Sequence, residues 1–114
     1  MRITGGEYRN RRLLAPRGAA TRPTSDRVRQ ALFNILREKT AGSRFLDLFA
    51  GSGAVGLEAL SRAARSAVFV ESSPPALTAL RSNLRSLGAE GRSEIVPGDY
   101  RAALKRLAAA GDTF

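Results

Sequence analysis

The chain has 114 residues, 43% of them hydrophobic, enough for one domain around one core. It contains neither cysteine nor histidine, which excludes disulfides, thiolate nucleophiles, a Ser-His-Asp triad and metal ligated by Cys or His. Net charge is +9 and uneven: residues 1–39 carry +7, residues 40–114 only +2. Seventeen of the nineteen cations are arginine, whose fork binds phosphate bidentately. A GC-rich genome would explain the choice of Arg over Lys but not the asymmetry, so a polyanionic partner is expected for the basic segment. No apolar stretch approaches the roughly 20 residues of a membrane span, and Met1–Gly6 is no signal region, so a cytoplasmic protein is expected.

Residues 1–23 lack helical periodicity and are punctuated by Gly5-Gly6, Pro16, Gly18 and Pro23. Two readings are open: a short hairpin turning at Arg9-Asn10-Arg11-Arg12 with Asn10 in the αL region, or a mobile basic tail. Either way Arg9, Arg11 and Arg12 are candidates for phosphate contacts, which position a nucleic acid without reading its sequence. Thr24 or Ser25 then caps a helix of about 15 residues ending near Gly42, with Asp26 in its first turn. Val28, Ala31, Leu32, Ile35 and Leu36 recur at helical spacing, predicting one buried apolar face.

From residue 44 strand and helix alternate. Strands are expected at 44–49, 66–70 and 93–96, and helices at about 54–64, 74–88 and 100–110. The second of these helices starts at Pro74-Pro75, carries a stripe of Leu77, Leu80, Leu84 and Leu87, and stops at Gly88. Gly111–Phe114 reads as the approach to a fourth strand, and the last strand present is expected to leave an unpaired edge. Such β-α units predict an α/β fold, a parallel sheet flanked by helices, with ligands at the carboxyl ends of its strands.

Asp47 ends the first strand and precedes Gly51-x-Gly53-x-x-Gly56. Gly51 can take φ > 0 in the tight turn, Gly53 is expected to admit a ligand to the main chain, and Gly56 to let helix and strand pack closely. Glu71 and Asp99 end the next two strands, so three acids should face one crevice. Each has a plain alternative: Asp47 as a structural strand-end acid, Glu71 as a solvated one, Asp99 as a helix N-cap. Tyr100 either packs on a bound base or covers the sheet edge. A dinucleotide is a competitor, because Glu71 lies where NAD enzymes grip the ribose. An acid ahead of the glycines repels a pyrophosphate, however, and suits a phosphate-free cationic cofactor such as S-adenosylmethionine.

Arg22-Pro-Thr-Ser-Asp-Arg-Val-Arg29 and Leu46-Asp-Leu-Phe-Ala-Gly-Ser-Gly-Ala-Val-Gly-Leu-Glu-Ala-Leu-Ser-Arg62 closely resemble the bacterial small-subunit ribosomal RNA guanine-N2 methyltransferases. Gly5-Gly6-x-Tyr8-Arg9-x-Arg11-Arg12-Leu13 and Phe69-Val70-Glu71 fit as well, so the resemblance spans the chain. It implies a Rossmann-like class I methyltransferase that uses S-adenosylmethionine. By the resemblance Asp47, Gly51 and Gly53 cradle the methionine part, Glu71 the ribose and Asp99 the adenine; Phe49, Ser52 and Tyr100 are further candidates for contact with the cofactor. Residues 1–23 become an RNA-contacting segment holding ribosomal RNA or the small subunit through Arg9, Arg11, Arg12 and Arg22. Residues 24–114 become the N-terminal part of the cofactor domain, in a monomer without metal. The family's catalytic Asp/Asn-Pro-Pro-Tyr is absent from these residues; Pro74-Pro75 lacks its flanking groups. The chain therefore reads as the N-terminal part of a longer enzyme, inactive by itself, with a non-catalytic RNA-binding module as the alternative.

Overall fold

The computed structural model describes residues 1–16 and 25–114. In chain order come α1 (Asp26–Ile35), α2 (Arg37–Thr40), β1 (Arg44–Asp47), α3 (Ala54–Ser61), β2 (Ser66–Glu71), α4 (Pro74–Leu87), a 3-10 turn at Glu90–Arg92, β3 (Ser93–Pro97) and α5 (Tyr100–Ala109). The three strands form one parallel sheet in the order β1-β2-β3, so β1 as well as β3 is an edge. Central β2 is the apolar run expected of a strand covered on both faces. Its alternation divides the core: Ala67 and Phe69 join α1, α3 and α4, whereas Val68 and Val70 meet Ala103 and Leu107 of α5. Gly56 lets α3 lie close on the sheet, since a Cβ there would stand 2.3 Å from the Phe69 ring.

Residues 1–13 are paired with one another. Ile3 N–H donates to Arg11 O at 3.0 Å, Asn10 N–H to Ile3 O at 2.8 Å and Leu13 N–H to Met1 O at 3.0 Å. Asn10 takes the expected αL conformation at φ 68°, but the excursion of this loop spans residues 4–9, and Arg12 lies in a bridge to Arg2. Ile3, Tyr8 and Leu13 are buried in the same core cluster as Leu57 and Leu60. Glu7 N–H and Tyr8 N–H donate to the backbone oxygen and Oγ of Ser61, so the arm is sewn to the end of α3.

The helix before the sheet departs from its pattern twice. It is broken at Leu36, whose ψ of 7° leaves the helical range, and continues only as the single turn of α2. It is also rotated: Val28, Leu32 and Ile35 are exposed, Ile35 to 81%, while Arg29 and Phe33 are fully buried. The reason lies on α3. Glu58 is buried there and accepts from Arg29 Nε at 3.0 Å, Arg62 Nε at 2.8 Å, and the Thr4 and Gly5 amides at 2.9 and 3.0 Å. A buried carboxylate without a cation costs more than an exposed isoleucine, so the Arg29 face turns inward. Arg29 also donates to Arg2 O and pairs with Asp26. Burial by itself would raise the Glu58 pKa, but Arg62, the Thr4 amide and Arg29 overcome it and hold the carboxyl below its usual value.

Two outcomes are expected in chemical denaturation. Ile35→Glu should change stability by no more than about 0.5 kcal/mol, whereas Phe33→Ala should cost about 3–5 kcal/mol. Because the folded pKa of Glu58 is depressed, its stabilisation is complete above the ordinary value of 4.5 and lost as pH falls through the folded pKa. Glu58→Gln should therefore lower stability at pH 7 and flatten the acid limb of the stability–pH curve.

Candidate cofactor crevice and basic arm

At the carboxyl ends of the strands lies a cavity of about 80 Å³ lined by Leu48, Phe49, Glu71, Ser72, Gly98, Asp99 and Tyr100. Four of the expected site residues, Phe49, Glu71, Asp99 and Tyr100, are thus brought together. The Phe49 and Tyr100 rings touch across it, centroids 5.0 Å apart and tilted by 50°. Phe49 is otherwise 73% exposed. Ser72 and Gly98 also line the cavity and were not expected there; each directly neighbours an acid that was.

The three acids differ sharply in environment. Asp47 accepts from Phe49 N–H at 3.3 Å through Oδ1, while its Oδ2 is buried without any hydrogen-bond partner. Burial pushes its pKa up; backbone donors at Phe49 and Gly56 offset part of this, and the Glu71 charge adds to it. Glu71 is braced by backbone: Oε1 accepts from Gly51 N–H at 2.7 Å, and Oε2 from Ser72 and Ser73 N–H at 3.0 and 2.8 Å. It pins the glycine loop to the start of α4. Asp99 is exposed and caps α5, accepting from Arg101 N–H at 2.6 Å; that bond and the Arg101 side chain hold its carboxyl below the usual range.

The glycines share the work differently from the sequence expectation. A Cβ on Gly51 would meet nothing within 4 Å, so this residue, at φ +55°, leaves the backbone open. A Cβ on Gly53 would stand 2.5 Å from Leu80 Cδ1, so Gly53 is demanded by packing. Ser52 is buried, and its carbonyl accepts from Asn83 Nδ2 at 2.9 Å. Asn83 was missed as well; its signal was a polar residue on the apolar stripe of α4, between Leu80 and Leu84.

The arm carries Arg9, Arg11 and Arg12 exposed, with Arg11 Nη2 donating to Ser86 O of α4 at 2.7 Å. Arg22 lies outside the described residues. Among the described residues no helix is long and apolar enough to cross a membrane.

The family described as Conserved hypothetical protein 95 matches residues 1–114. The chain belongs to that family. It is 46% identical over 96 residues to Ribosomal RNA small subunit methyltransferase D of Escherichia coli K12, an alignment covering 84% of this chain and 48% of that protein. The structure of the Thermus thermophilus hypothetical protein TTHA0928 superposes with a TM-score of 0.87 at 40% identity, over 100% of this chain and 64% of that one. The SAH-bound Podospora anserina methyltransferase PaMTH1 superposes with a TM-score of 0.66 at 22% identity, covering 75% of this chain and 37% of that one, a likeness of fold. This family member therefore has the Rossmann-like fold of class I methyltransferases, and it spans about half the length of the curated relatives it matches.

Asp47→Asn should raise the melting temperature by a few degrees at pH 7. Its folded pKa lies above the ordinary 3.8, so the charged form destabilises at higher pH and the advantage of Asn should vanish as pH falls below that value.

Proposed function

We propose that this chain is the cofactor-binding and RNA-facing part of an enzyme that methylates the exocyclic N2 amine of a guanine in small-subunit ribosomal RNA. The observation that carries the cofactor assignment is the buried, unpartnered Oδ2 of Asp47, together with the open main chain at Gly51 four residues on. A buried carboxylate oxygen asks for a cation, and the ammonium of S-adenosylmethionine supplies one where a pyrophosphate would be repelled. The three acids and the glycine loop fit that cofactor better than a dinucleotide. The relative named as a ribosomal RNA methyltransferase and the SAH-bound fold neighbour support the same choice.

In this reading Asp47 holds the methionine end at the open backbone of Gly51, while Glu71 keeps the glycine loop in shape with lone-pair capacity left for ribose hydroxyls. Asp99 meets the adenine amino group, with Phe49 and Tyr100 offering ring faces to the base. Ser52 and Gly53, turned toward the core, shape the cradle from behind. When bound, S-adenosylmethionine supplies an already activated methyl electrophile, so positioning provides most of the rate and no strong base is required. Arg9, Arg11 and Arg12, with Arg22, hold the RNA backbone. The Asp/Asn-Pro-Pro-Tyr that would orient a flipped guanine is not among these 114 residues, whose own part in this reading is to bind; a second reading is an RNA-binding module that retains the cofactor fold.

Calorimetry should show this chain binding S-adenosylhomocysteine and not NAD, with Asp47→Asn weakening it about 10–100-fold, the scale of one charge-assisted contact. Changing Arg9, Arg11 and Arg12 to Ala should weaken RNA binding and flatten its salt dependence by about one unit of slope for each phosphate no longer neutralised. Heat with NAD alone refutes the cofactor, and an unchanged salt slope refutes the arm.

A further inference from the structure

The basic arm and the glycine loop meet at one side chain. Asn83 of α4 is 2% exposed, and both its amide nitrogen and its oxygen are engaged. Its Oδ1 accepts from Leu14 N–H at 2.8 Å, and its Nδ2 donates to Leu14 O at 3.0 Å and to Ser52 O at 2.9 Å. The first two bonds copy a strand pairing with the arm backbone, and the third holds the middle of the Gly51-Ser52-Gly53 turn. The Leu14 side chain is 58% exposed, so the link runs through its main chain.

We propose that Asn83 is a positioning residue that couples the arm to the glycine loop, so that seating of the arm and ordering of the cofactor cradle favour one another. Hydrogen-bond satisfaction is the physical reason. If residue 14 leaves, a buried acceptor and a buried donor lose their partners together. The amide then recovers hydrogen bonds only by turning toward water, which releases Ser52 O. That carbonyl belongs to a loop whose other supports include Glu71 at Gly51 N–H, the turn bond from Gly53 N–H to Ala50 O, and the bonds from Ala50 N–H to Val70 O and Leu57 N–H to Gly53 O. Docked arm and held loop thus form one state, and free arm and loosened loop the other. By linkage, whatever stabilises the cradle tightens the arm by the same factor, and the reverse. For its use in the enzyme this rests on the reading of the arm as RNA-facing and of the cradle as the S-adenosylmethionine site.

The test is a double-mutant cycle read by amide hydrogen exchange on the purified chain. Leu14→Pro removes the N–H that donates to Asn83. With Asn83 present it should speed exchange of Gly53 N–H about tenfold, within the usual range of couplings between linked sites. In an Asn83→Leu background the same change should add less than about twofold. Equal acceleration in both backgrounds, or none with Asn83 in place, overturns the proposal. Circular dichroism checks folding; if Asn83→Leu does not fold, Asn83→Asp carries the cycle with the same expectation, since it loses both donated bonds. Without any substitution, S-adenosylhomocysteine that gives calorimetric heat should slow Leu14 N–H exchange about tenfold, the same factor by linkage. Heat without slowing overturns the coupling. Absence of heat counts against the cofactor reading, and the cycle then decides the coupling alone.

Discussion

Glu58 is a carboxylate placed inside the protein, and much of the N-terminal half is arranged to satisfy it. Two guanidinium groups and two main-chain amides converge on its oxygens. The donors come from three parts of the chain: the arm at Thr4 and Gly5, α1 at Arg29, and the end of α3 at Arg62. A buried ion pair is weak evidence of net stability, because desolvation consumes most of the Coulombic gain. What this one contributes is uniqueness. With Glu58 buried, α1 has one acceptable rotation and the arm one acceptable path. Two sequence words, Ser25-Asp26-Arg27-Val28-Arg29 and Gly56-Leu57-Glu58-Ala59-Leu60-Ser61-Arg62, are joined through this network.

The crevice on the other end of α3 works on the opposite principle. There the loop is kept open rather than filled. Glu71 spends its carboxylate on three backbone amides, so the Gly51 turn is held before any ligand arrives. Asp47 is left with one buried oxygen unanswered and a raised pKa, a local cost within the folded chain. Asp99, exposed and capping α5, carries no such cost. Three acids that look equivalent along the chain thus divide into an unsatisfied one, a bracing one and a capping one.

The arm connects these regions. Its start is fixed by Glu58 and Ser61, its middle by the core through Tyr8 and Leu13, and residue 14 by Asn83. Arginines on such a rigid strip present charge at defined positions, which suits contact with a phosphate backbone better than a tethered tail would.

Much was legible in the sequence. The apolar run at 66–70 and the glycine turn after Asp47 place the strands and the turn into α3, because those features depend on backbone geometry and local patterning. Helix caps at Ser25 and Asp99 are equally local. The rotation of α1 was not legible: Val28, Leu32 and Ile35 make a better apolar stripe than Phe33, and only a buried anion 29 residues beyond Arg29 reverses the preference. Nor were the separate duties of Gly51 and Gly53, which follow from where Leu80 of α4 arrives beneath the loop. Sequence by itself determined the order of strands and helices, the acids at the strand ends and the basic bias of the arm. Tertiary structure alone decided which helix face is inside, which acid is left unpaired and which side chain joins arm to loop, because burial and hydrogen-bond satisfaction are properties of neighbours distant along the chain.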